Sequence, residues 1–134
     1  MAIRSAVFAF SLVALVALIP YVKPLIKPLR PLTLITTADL QQRLQAGEIV
    51  VVIDVRSPEE FLGELGHIPG ALNMPLEELQ AQEWTIQAMA KDHPVALVCR
   101  TDRRSSEAAK QFIELGFSQV MVVKGGMVEW NEHH

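Results

Sequence analysis

Three short apolar runs constrain the fold of this chain more than any other feature: IVVVID (residues 49–54), PVALVC (94–99) and QVMVV (119–123). Each is too short for a helix, and each is apolar without the alternation of a half-exposed strand. A strand apolar on both faces belongs inside a parallel sheet covered by helices on each side. Between the runs the spacing becomes helical. LTLI (32–35) reads as a short opening strand, and Thr36 or Thr37 caps a helix that carries Leu40 and Leu44 and ends at Gly47. Ser57-Pro58-Glu59-Glu60 is a helix start, with a capping serine, proline at the first position and acids in the first turn. GHIPGALNMP (66–75) reads as a loop, and residues 76–91 as helical in one or two pieces. Residues 105–115 place Ala108, Ala109, Phe112 and Leu115 on one helical face, with Gly116 as the stop. After Gly125-Gly126 comes a short helix holding Trp130. This alternation predicts an α/β fold with a mostly parallel central sheet flanked by helices. With 134 residues, half of them hydrophobic, there is room for one domain with a real core.

The chain opens differently. Between Arg4 and Lys23 lie eighteen residues without a formal charge, nearly all apolar. That is close to the minimum for one transmembrane helix, so residues 1–22 are expected to be a single-pass anchor. A cleaved secretory signal, which would make the domain periplasmic or secreted, competes with this reading. It should end in small residues, whereas Leu18-Ile19-Pro20-Tyr21 follows Ala17. Prolines 20, 24, 28 and 31 make residues 23–31 a semi-rigid spacer, basic through Lys23, Lys27 and Arg30. The excess of basic residues after the span places the remaining domain, 32–134, on the cytoplasmic side. A net charge of −3 gives no pull toward nucleic acid.

The chemistry concentrates in ALVCRTDRRSS (96–106). Cys99 is the only cysteine, so it forms no internal disulfide, and no metal site or cofactor motif accompanies it. It stands at the carboxyl end of a buried strand, where ligands bind in open α/β sheets. A helix beginning near Ser105 leaves five residues to curl over the sulfur, with backbone N–H groups turned inward as an anion nest. The helix N-terminus and Arg100, Arg103 and Arg104 favour thiolate over thiol at Cys99 and would hold an oxyanion beside it. An inert buried cysteine among solvated arginines is the alternative, and the strand–Cys–loop–helix context argues against it.

CRTDRRS is similar to the active-site loop of rhodanese-type sulfurtransferases, in which four residues separate the cysteine from a final basic position. VVIDVRSPEEF with GHIPGALNMP resembles the first signature region of that family, and LGFSQVMVVKGGMVEW its closing one. The resemblance covers roughly residues 33–130 in the right order. It implies that Cys99 carries a sulfane sulfur as a persulfide, taken from thiosulfate or a similar donor and passed to cyanide or a thiol. Arg100 and Arg104 would occupy the basic positions of the family, and the amides of Arg100, Thr101, Asp102, Arg103, Arg104 and Ser105 would cradle the persulfide. Without a second cysteine, the acceptor must come from outside, as a small thiol or a protein. Asp102 departs from the glycine common at that position. Aspartate tolerates a left-handed backbone, though its charge would oppose an anionic donor.

Two other functions compete. Phosphatase or arsenate reductase chemistry uses a loop one residue longer, and here Arg104 comes one position too early. A membrane-tethered binding module with little catalysis is the other, disfavoured by the retained Cys99. Around the loop, Asp54 and Arg56 are expected to be structural, with Arg56 paired to Glu59 or Glu60, or Asp54 bonded to backbone amides. His67 is expected to orient or pack its loop rather than act as a base. Met74, Met89, Met121 and Met127 read as core fillers, and Trp84 and Trp130 as closing the core edges.

Overall fold

The computed structural model describes residues 32–134. The expected anchor (1–22) and spacer (23–31) lie outside the described residues. Among those described, no helix is long and apolar enough to cross a membrane.

Five parallel strands form one sheet: β1 Thr33–Ile35, β2 Val51–Asp54, β3 Leu72–Asn73, β4 Val95–Val98 and β5 Val120–Val123, in the order β1-β5-β4-β2-β3. Among the described residues the helices are α1 Thr37–Gln45, α2 Pro58–Phe61, α3 Glu83–Gln87, α4 Arg103–Glu114 and α5 Gly126–Glu132, with a 3-10 turn at Leu76–Glu78. The three central apolar runs became the three central strands. Their residues alternate between two cores. Ile53, Val95, Leu97, Val120 and Val122 pack with Ala108, Ala109 and Phe112 of α4, and with Leu79 and Ile86. Val52, Ala96, Val98, Met121 and Val123 pack on the other face with Leu40 of α1 and with Met127 and Trp130 of α5. Covering both faces is what removes the polar half of each strand.

The caps formed as the sequence implied. Thr36 accepts from the Asp39 amide at 3.1 Å, Ser57 accepts from the Glu60 amide at 3.2 Å, and Gly47 and Gly116 take φ values of 79° and 96° past their helices. Several expectations did not hold. Ile49 is exposed, because β2 begins two residues later. The GHIPGALNMP loop contains β3, a two-residue edge strand too short to carry a pattern. Residues 76–91 form only the 3-10 turn and α3. Trp84 does not close a core edge: it is 86% exposed on α3, whereas Ile86 takes the buried position. Trp130 is buried as expected, as are Met74, Met121 and Met127, while Met89 packs at the margin. The α4 helix starts at Arg103, two residues earlier than its apolar face implies, since arginine and serine extend a helix readily without adding to its core side.

The strand order decides where a ligand can sit. From β2 the chain moves outward to β3, and from β4 it moves the other way to β5. The reversal lies between adjacent β2 and β4, and a crevice outside their carboxyl ends follows from it. Asp54 ends β2, and Cys99 follows β4.

Candidate active site

Cys99 is 1% exposed, and its Sγ lies 3.3 Å from Oγ of Ser105, which is fully buried in the first turn of α4. Ser105 Oγ is also 3.1 Å from the Asp102 carbonyl oxygen. The hydroxyl has one proton. When it donates to that carbonyl, the thiol can donate to Oγ; when the sulfur carries charge, the hydroxyl can turn and donate to sulfur. The contact brings the positive end of the twelve-residue α4 to the sulfur.

The loop is held from behind by the start of α5. The N–H groups of Met127 and Val128 donate to the carbonyls of Cys99 and Arg100, at 2.8 and 3.1 Å. Gly126 makes this approach feasible. A Cβ there would press on the carbonyl oxygens of Thr101 and Cys99 and lie 2.7 Å from the Arg100 carbonyl carbon, and φ is +56°. With those carbonyls held by α5, the loop's amides face elsewhere. Among the described residues, the N–H groups of Arg100, Thr101, Asp102, Arg103, Arg104 and Ser105 have no acceptor. Buried or ligand-facing amides are normally paired, so an unpaired row beside a cysteine is the form an anion nest takes.

Because α4 begins at Arg103, only Arg100, Thr101 and Asp102 separate Cys99 from the helix, a tighter turn than five residues. Asp102 occupies the N-cap position with φ −146° and ψ −4°, so its tolerance of a left-handed backbone is not used. Its side chain makes no capping bond; its carbonyl accepts from the Ser106 amide at 3.0 Å and the Ser106 hydroxyl at 2.6 Å. It also lines a surface cleft of about 540 Å³ with Thr36, Gln41, Lys124 and Glu129.

The three arginines differ. Arg100 and Arg103 are exposed and have no ion-pair partner among the described residues. Arg104 is half-buried, and its two terminal nitrogens meet the two carboxylate oxygens of Glu60 at 2.7 and 2.9 Å. This hydrogen-bonded fork lowers the Glu60 carboxyl to about 2, against a smaller opposing effect of burial. The same pair raises the Arg104 guanidinium further above its ordinary value. Sequence reasoning saw Glu60 only as a first-turn acid and a partner for Arg56. Its place at the site depends on β2 and β4 being neighbours, which no local pattern states.

Asp54 and Arg56 do not reach the sulfur. The Arg56 side chain is buried against Asp54, with Nε at 2.9 Å from Oδ1 and Nη2 at 2.7 Å from Oδ2. This corrects the expected pairing with the Glu59 or Glu60 carboxylate: Arg56 instead donates to the backbone carbonyls of Glu60 (3.2 Å) and Gly66 (2.6 Å). Asp54 also accepts the Arg56 amide at 3.1 Å, so that part of its expected structural role is present. His67 stacks on Phe61 with ring centroids 3.7 Å apart, and its Nδ1 is 2.9 Å from the Phe61 carbonyl. These are loop-packing contacts. Among the described residues, Glu129, Glu132 and His133 bring ligand atoms within 4.8 Å of one another, in a largely exposed cluster on α5 of a kind common without any ion.

Residues 36–133 match the model of the Rhodanese-like domain family. A sulfurtransferase of Allochromatium vinosum is 31% identical over 99 residues, covering 74% of this chain and 88% of that protein. An uncharacterized protein of Bacillus subtilis is 40% identical over 79 residues, which is 59% of each chain. The crystal structure of a rhodanese-related protein from Thermoplasma volcanium superposes with a TM-score of 0.64 at 31% identity, over 75% of this chain and 92% of that one. The chain belongs to the rhodanese-like family, and Cys99 stands where the fold brings its open amides and helix N-terminus together.

Proposed function

We propose that this protein is a sulfurtransferase that moves a sulfane sulfur from thiosulfate, or a similar anionic donor, through a persulfide on Cys99. The observation that carries the reading is the Cys99 sulfur against Ser105, in a loop whose six amides have no acceptor among the described residues. The Cys99 thiolate attacks the outer sulfur of thiosulfate, the sulfur–sulfur bond breaks, and sulfite leaves with the bonding pair. The loop amides and the Ser105 hydroxyl donate to the charge on the persulfide. An external nucleophile then attacks the outer sulfur, so that cyanide leaves as thiocyanate or a thiol as a persulfide, and the Cys99 thiolate returns. No net redox change and no cofactor are needed. The acceptor is a small thiol or a thiol on another protein.

Phosphatase-type chemistry is less well supported. It needs a guanidinium to bind a tetrahedral oxyanion, and here both terminal nitrogens of Arg104 are taken by Glu60. Mass spectrometry of the full chain after thiosulfate treatment tests the reading. We expect one added sulfur atom on Cys99, discharged by cyanide, and no transfer by Cys99→Ser. A chain that alkylates at Cys99 but takes up no sulfur overturns it.

We also infer that the domain remains tethered to a membrane on the cytoplasmic side. The support is the uncharged run between Arg4 and Lys23, with Lys23, Lys27 and Arg30 after it. Protease added outside intact cells should leave the domain whole; a shortened, soluble protein outside the cytoplasm would sink this placement.

A further inference from the structure

Cysteine loops that bind anions usually gain from every nearby cation, yet the best placed of the three arginines is already occupied. Arg104 lies one residue before Ser105, the sulfur's contact, and both of its terminal nitrogens are held by one carboxylate. That carboxylate is presented from a fixed backbone. Ser57 caps the Glu60 amide at 3.2 Å, and the buried Arg56 grips the Glu60 carbonyl at 3.2 Å. The clamp therefore ties the carboxyl end of β2 to the first turn of α4, across the point where the sheet's connections reverse. A two-point fork fixes orientation as well as distance, which a lysine could not do.

We propose that Glu60 is a positioning residue of the Cys99 loop: it sets the first turn of α4 and holds Arg104 back from serving as an anion ligand. An anionic donor is then drawn in by Arg100 and Arg103 and bound by the loop amides. Glu60 and Arg104 cancel, Asp102 offsets one of the two remaining cations, and Glu77 also acts on Arg104, so little net charge is left at the mouth. A weak field admits a small anion without trapping it or the leaving sulfite, which suits repeated transfer better than tight oxyanion binding. The donor half of this inference rests on the sulfurtransferase reading; the control of Arg104 by Glu60 does not.

The test uses the full chain in a neutral detergent, with Cys99 as its only thiol. Alkylation by anionic iodoacetate and by neutral iodoacetamide is compared, because the ratio of the two rates reads the potential at the sulfur. Glu60→Gln should raise that ratio by about 3- to 10-fold at low salt as the guanidinium is released toward the loop. Glu59→Gln, the same charge change on an exposed neighbour without a partner among the described residues, should change it by less than about 1.5-fold. Adding Arg104→Ala to Glu60→Gln should return the ratio to that of the unaltered protein. With thiosulfate, Glu60→Gln should lower KM by a similar factor while kcat falls by about tenfold, since the first turn of α4 is no longer fixed. A merely structural contact would not lower KM. A ratio for Glu60→Gln no different from Glu59→Gln overturns the proposal, and so does a sulfur that neither reagent reaches. If thiosulfate transfers no sulfur but the alkylation ratios follow this pattern, the control of Arg104 stands and the donor assignment fails.

Discussion

The carboxyl ends of β2 and β4 lie side by side, and they treat polar groups in opposite ways. At the end of β2, the buried Arg56 donates to the Asp54 carboxylate and to the carbonyls of Glu60 and Gly66. Asn73 donates to the carbonyls of both Asp54 (3.1 Å) and Arg56 (2.9 Å). Among the described residues, no buried side-chain nitrogen or oxygen lacks a partner. At the end of β4, six consecutive amides have no acceptor among the described residues. The contrast separates a closed end from an open one. The first end is closed and holds its loops still; the second leaves donors open beside the Cys99 sulfur, and its stability is supplied by the neighbours that brace it.

The largest effect expected on stability is at the closed end. Arg56→Ala leaves the buried Asp54 carboxylate uncompensated and should cost about 3–5 kcal/mol in denaturant unfolding. A loss under about 1 kcal/mol would mean that water reaches Asp54 and that the two ends are not so different. Next comes Gly126→Ala, which places a methyl group against the loop's backbone at a positive φ. It should cost about 1–3 kcal/mol. It should slow Cys99 alkylation more than its stability loss explains, because the Cys99 and Arg100 carbonyls would lose the α5 amides. Equal alkylation rates would show that the brace does not shape the loop.

Smaller effects sharpen the comparison at its boundary. The Glu60 carboxyl is lowered from 4.5 to about 2 in the folded chain, chiefly by its hydrogen bonds to Arg104. Its contribution to stability is therefore complete above pH 4.5 and is lost as pH falls toward 2. Because the pair is partly exposed, that contribution should be about 1 kcal/mol or less. Acid unfolding of Glu60→Gln against the unaltered protein over that window would measure it, and superposable curves would remove the pair from the stability account. The smallest effect belongs to Asp102→Gly. Removing its exposed carboxylate beside the loop should raise the iodoacetate rate by about twofold at low salt and hardly at all at high salt. A lower rate in a folded variant would assign Asp102 to the turn itself.

Much of the fold was legible because it follows from local rules. Ser57-Pro58-Glu59-Glu60 forms its cap whatever surrounds it, and Val95–Val98 must be covered on both faces. The misses share a cause. Trp84 reads as a core-edge residue by type, but α3 buries one side chain, and that is Ile86. The Leu72–Asn73 strand is defined by its pairing with β2, not by its own pattern. Arg56 reads as a partner of Glu59 or Glu60 in the helix that follows, whereas the acid that satisfies it is Asp54, two residues back at the end of β2.

The sequence by itself determined the class of fold, the position of Cys99 at a strand end, and the presence of a helix after it, though not that helix's first residue. These rest on periodicity, capping and chain direction, which act over a few residues. Only the tertiary structure decided which arginines can meet an anion. Arg100, Arg103 and Arg104 are equivalent in the string, and Glu60 is forty-four residues from Arg104. They meet because β2 and β4 pair in register, Val51 against Val95 through Asp54 against Val98, which sets the helices after them side by side. An ion pair needs its partners within about 4 Å, and separation along the chain says nothing about that distance until the strands have been ordered.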